Sequence, residues 1–171
     1  MFEGKMIMGS WTDAELRPNK LWVITSPLIW IRPNGKAIYL TPYLITDYAS
    51  IPTWLWWMLP KRSIYYDIAA AFHDDCVRHY KLKNMSLQES HDVFKEIMKF
   101  YKAPKWQYTI MYNVVRSVGY FLRTNGIDKT PWKLTDQEKN KLKEIIENNP
   151  WVDVYQTVNN SNYDPAHSFC M

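Results

Sequence analysis

The chain has 171 residues, 47% hydrophobic and 22% charged, with a net charge of +4 and an isoelectric point near 8.9. This is ordinary globular usage at a length that suits one domain with a true core, which excludes wholesale disorder and argues against two domains. Two cysteines, Cys76 and Cys170, are too few for a disulfide framework. No segment reaches the ~20 apolar residues of a membrane span, and MFEGKMIMGSWTDAEL is no secretion signal, so a soluble intracellular protein is expected. The unusual figure is an aromatic content of 16%, with nine Trp and twelve Tyr, residues that suit cores and docking surfaces.

In chain order, the first clear signal is β. KLWVITSPLIWIRPNGKAIYLTPYLI, from Lys20 to Ile45, is rich in β-branched and aromatic residues, and Asn34-Gly35 between two such runs predicts a hairpin. Pro27 and Pro42 within these runs predict edge strands or bulges. Thr46 to Arg62 has neither helical nor strand period and is expected to be a structured loop, with Trp54, Trp56 and Trp57 as interface aromatics.

Helices are expected at about 63–82, 87–101, 104–123 and 135–147. Ser86 with Glu89, and Thr135 with Glu138, have capping-box spacing, and Pro104 suits a first helical turn. The last helix has few apolar residues and is expected on the surface, followed by a polar tail. The fold class is therefore α+β, an N-terminal hairpin or meander packed against three to four helices, with one domain over 1–130 and a surface helix and tail over 131–171. Lys95, Lys99, Lys102 and Lys105 are the nearest approach to a basic cluster. Their spacing reads as a solvated helix face ahead of a nucleic-acid or anionic-lipid patch, so no clear nucleic-acid binding is expected.

Helical periodicity places His73 in the middle of the apolar side of the first helix, among Tyr66, Ala69, Ala70, Cys76, Val77 and Tyr80. Asp74 falls at the edge of that side, while Asp75, Arg78 and His79 fall towards solvent. On the second helix His91 borders the arc of Leu87, Phe94, Ile97, Met98 and Tyr101, and Asp92 points away. If these helices pack antiparallel, His73 and His91 face one another with Asp74 near, a set able to hold a divalent metal. The commoner role of an inward histidine is a hydrogen-bonded core residue, since buried polar groups must find partners. On the third helix Ile110, Met111, Val114, Val115, Val118, Phe121 and Leu122 form the apolar side. Arg116 and Tyr112 lie opposite and are expected to serve as a polar or anion anchor. Phosphate-loop, nucleophile-elbow, paired C-x-x-C and H-E-x-x-H signatures are all missing.

TDYASIP at Thr46–Pro52, the Trp-rich loop, AAAFHD, a Phe on the next helix and MYNVVRSVG at Met111–Gly119 occur in an order that resembles domain-of-unknown-function family 1353. This is a set of small proteins encoded mainly by tailed bacteriophages and prophages, and the resemblance covers about Lys20 to Leu122. It implies synthesis in a host cytoplasm, incorporation into a virion, and other phage proteins as partners in an assembly. The His-Asp pair and the following helix are also similar, more weakly, to phospholipases of the A-two type. That similarity implies His73 as general base and Asp74 as a calcium ligand. The orienting aspartate of that pattern is replaced by His91, Val77 stands where a tyrosine is wanted, and the glycine-rich calcium loop is missing; Asp47 is left as a further oxygen ligand. The expected function is thus a virion-associated structural or accessory component. The alternatives are a metal-assisted hydrolase of lipid or cell envelope, with calcium or zinc as cofactor, and an intracellular factor binding a host or phage protein.

Overall fold

The structure, a computed structural model, describes residues 4–7, 13–18, 21–47, 64–124 and 134–148, of which 7, 64, 65 and 118–124 by backbone alone. Among them are six strands, β1 (Lys5–Ile7), β2 (Asp13–Arg17), β3 (Leu21–Ile24), β4 (Ile29–Ile31), β5 (Ala37–Tyr39) and β6 (Ile45–Thr46). Four helices follow, α1 (Ile64–Arg78), α2 (Leu87–Phe100), α3 (Lys105–Thr124) and α4 (Asp136–Glu147). The architecture is α+β, as expected.

The strands form two antiparallel three-stranded sheets, ordered β1-β4-β5 and β2-β3-β6. The Asn34-Gly35 hairpin joins β4 to β5. Gly35 takes a φ of +85°, and the Asn34 side chain accepts from the Lys36 amide at 3.0 Å, which closes the turn locally. Pro27 and Pro42 lie between strands rather than inside them. Each falls three residues beyond the end of a strand, where its missing amide takes no bond from a ladder. β1 and β2 have no counterpart in the sequence reading. β1 pairs with β4, Met6 opposite Trp30, and Gly4 at its start has a φ of +93° with the place of a Cβ only 2.4 Å from the Trp30 ring. Only glycine fits there.

Two clusters of apolar side chains hold the chain together. The larger gathers Trp30 and Ile38 from the strands, and Leu40 and Leu44 from the loop between β5 and β6, with residues of α1, α2 and α3, including Phe72, Phe94, Ile97, Met98 and Met111. The smaller joins Leu16, Leu21, Val23 and Tyr43 to Leu142 of α4. α1 is buried all round its middle: Tyr66, Asp67, Ile68, Ala69, Ala70, Ala71 and Phe72 are consecutive and all buried. The run of three alanines gives backbones room to approach on every side. α2 begins on a complete Ser86–Glu89 capping box and α4 on the Thr135–Glu138 one. Trp54, Trp56 and Trp57, the loop from Tyr48 onward, the side chains of Val118, Phe121 and Leu122, and the tail with Cys170 lie outside the described residues. Cys76 is a free buried thiol, and burial pushes it up to about 12, which leaves it inert.

Candidate functional site

α1 and α2 run antiparallel through the turn at 79–86. His73 thereby meets the middle of α2. His73 and His91 come together: His73 Nε2 lies 2.9 Å from His91 Nδ1, with the rings stacked at 5.2 Å and Phe94 edge-on to His73 at 5.6 Å. One nitrogen donates and the other accepts, so the two rings share a proton between them. Burial, and then the neighbouring His73, push His91 down to about 4, which keeps it uncharged near neutrality. His73 retains a window to solvent, 14% of its side chain.

Asp74 does not face this pair squarely. Its nearest oxygen is 3.9 Å from His73 Nδ1, beyond hydrogen-bond reach, and its other oxygen accepts from the Thr46 hydroxyl at 2.8 Å. Thr46 is fully buried, so the first residue of TDYASIP is pinned to the helix that carries the His-Asp pair. Asp47 is half-buried and has interactions of its own. Among the described residues no three His, Cys, Asp or Glu side chains are placed to hold a metal ion. The 2.9 Å between the two facing histidine nitrogens is the separation of a hydrogen bond.

Asp75 corrects the orientation read from the sequence. It is fully buried and carries a dense polar network. Its carboxylate accepts from His79 Nδ1 at 2.7 Å and from the Thr41 amide at 2.7 Å, and pairs with Lys83 Nζ at 3.0 Å. Lys83 also donates to the Tyr39 carbonyl at 2.5 Å. Burial alone would raise this acid, but Lys83 and His79 outweigh it and hold it well below the usual carboxylate range. The network ties α1, the turn after it and the strand β5 with its following loop into one unit. A carboxylate can only accept, so it fixes the proton of His79 on Nδ1. His79 sits between, neither buried nor exposed. The signal in the sequence was the i, i+4 spacing of Asp75 and His79 followed by Lys83, four residues further on.

The remaining expected residues lie nearby. Tyr112 donates to Asp92 at 3.0 Å and accepts from Gln88 at 2.7 Å, linking α3 to α2, so Asp92 faces α3 rather than open solvent. Arg116 is exposed, one turn further along α3. Tyr66, two turns before His73, buries a hydroxyl that has no hydrogen-bond partner among the described residues, and burial pushes it up to about 12. On the hairpin side Glu96 accepts from Arg32 Nη2 at 2.8 Å and from Trp30 Nε1 at 3.2 Å.

A histidine acting as general base keeps one nitrogen free for the proton it takes and has a carboxylate on the other to stabilise the imidazolium. His73 meets the His91 ring through Nε2, and Asp74 Oδ1 stands 3.9 Å from its Nδ1.

In the comparisons with known proteins, residues 22–115 match the family model described as Protein of unknown function (DUF1353). No curated protein matches, and no solved structure matches.

Proposed function

The chain belongs to the DUF1353 family, and from that premise we propose that it is a structural or accessory component of a bacteriophage particle. In this reading its histidines and aspartates fasten the fold and its aromatics serve assembly. One observation carries the choice of a non-catalytic role: each polar group that α1 turns inward at 73–75 is already matched by another part of the chain. His73 is held by His91, Asp74 by Thr46, and Asp75 by His79, Thr41 and Lys83. Buried polar groups satisfied in this way make a specific core.

The test is made on the encoding phage. Particles are gradient-purified, washed in high salt and examined by mass spectrometry, beside the infected-cell lysate and elemental analysis of the purified chain. Recovery of the chain with washed particles, without a stoichiometric divalent ion, is the expected result. Abundance in the lysate with none on particles would point to the intracellular factor instead. A bound divalent ion at one per chain would revive the hydrolase.

A further inference from the structure

From Lys95 to the end of α3 the chain holds six basic residues, Lys95, Lys99, Lys102, Lys105, Arg116 and Arg123, against a single acid, Glu96. That acid is turned to the hairpin and bound there by Arg32 and Trp30. Four of the cations share one face. Lys95 and Lys99 stand one turn apart on α2 and reach across the helix seam to tyrosines one turn apart on α3. Lys95 Nζ lies 4.6 Å from the centre of the Tyr112 ring and Lys99 Nζ 5.4 Å from that of Tyr108. Such cation–π contacts hold an ammonium group in place while leaving its other side to solvent. Lys105 and Arg116, both exposed, extend the stripe along α3, three turns and about 16 Å from end to end. Among the described residues Asp92 is the carboxylate on this face, and its oxygen is taken by Tyr112 and Gln88. Beside Lys105 the indole of Trp106 is 49% exposed.

We propose that this α2–α3 face, with Lys95, Lys99, Lys105 and Arg116 along it and Trp106 at its end, binds single-stranded nucleic acid. The phosphates follow the cations, and a base stacks on the indole. The charge is complementary to a polyphosphate along its whole length. The positions between the cations on α3, Thr109 and Asn113, are polar and exposed, which suits a solvated backbone and not insertion into lipid. The bare indole beside the cations suits a base better than a polycarboxylate. The assembly role proposed above is not needed for this inference, since the purified chain alone gives the readout.

The experiment is fluorescence anisotropy of a labelled thymidine oligonucleotide of about 20 nucleotides, titrated with the full chain between about 50 and 200 mM salt. Binding should weaken with salt with a logarithmic slope of about −3, the value for four phosphate contacts on a single strand. The triple variant Lys99→Glu, Lys105→Glu, Arg116→Glu should bind about tenfold or more weaker with a flatter slope, and Trp106→Ala about fivefold or more weaker. Lys139→Glu with Lys143→Glu, on exposed positions of α4, should change affinity by less than about twofold. Should the triple variant melt differently from the parent chain, the single Arg116→Gln is read instead, with a slope change of about 0.7. No binding at the lowest salt, equal effects of the α4 control, equal competition by polyglutamate, or binding of phosphatidylglycerol vesicles in place of the oligonucleotide would each overturn the proposal.

Discussion

His91 is the residue at which burial, charge and pH meet. Two further charges of opposite sign bear on it: Arg116 of α3 acts with burial and His73 to lower its pKa, while the Asp92 carboxylate beside it acts in the opposite sense. Its folded value near 4 lies below the 6.5 of a free imidazole, so as the pH falls the unfolded chain takes up the proton first. The contribution of neutral His91 to stability is whole above about pH 6.5 and is lost as the pH approaches 4. Between pH 7 and 5 the loss amounts to about 2 kcal/mol. Asp75 is silent over this range. Its folded value is depressed, so its stabilisation is present above the ordinary carboxylate range and fails only below about pH 4. Urea unfolding of His91→Gln at pH 7 and 5 separates the two. The amide can still meet His73 but does not titrate, so the variant is expected to lose less stability than the parent over this interval. An identical loss would place the titrating group elsewhere.

At the scale of elements, the ends of the helices show how local chemistry and packing divide the work. α2 ends with Lys102 in the left-handed conformation, φ +59°. The Ala103 amide donates to the Met98 carbonyl and the Lys102 amide to that of Lys99. That cap is made for glycine, and a lysine there carries a Cβ strain. Lys102→Gly is expected to stabilise the chain by about 0.5–1 kcal/mol, read as a higher urea midpoint with an unchanged slope. A lower midpoint would mean that the stem of Lys102 contributes packing. Features of this local kind were legible: the capping boxes at Ser86 and Thr135, the proline before α3 and the Asn34-Gly35 turn all stand where the sequence places them. Features that depend on a distant partner were not. β2 reads DAELR, with no apolar run, and is a strand because β3 pairs with it. Asp75 was assigned to solvent because a wheel argument allows a helix one buried side, whereas α1 is buried all round and its second side meets the loop of Thr41. His73 and His91 were legible for the complementary reason: both lie on the α1–α2 side, the one contact that a short turn enforces.

For the molecule as a whole, the two apolar clusters predict two levels of stability. α1 and α2 are locked to the strands through the large cluster and through the Asp75 and Glu96 networks. α4 reaches the rest through Leu142, with Leu134, Ile145 and Ile146 at the margin of the small cluster. The pairing of Arg17 with Glu138, at 2.7 and 3.0 Å, adds a clamp at its first turn. It holds Glu138 down to about 2, but its Arg17 end is partly exposed, which weakens such a pair. The apolar contacts of α4 are therefore what keep it in place, and cutting the central one should release the helix without unfolding the domain. Hydrogen exchange read by mass spectrometry on Leu142→Ala tests this. Amides of α4 should exchange faster by the equivalent of about 2–4 kcal/mol, while those of α1 and α2 keep the protection of the parent chain. Equal acceleration in all three helices would instead make the two clusters one cooperative unit, with α4 as much a part of the core as the helix pair that carries the histidines.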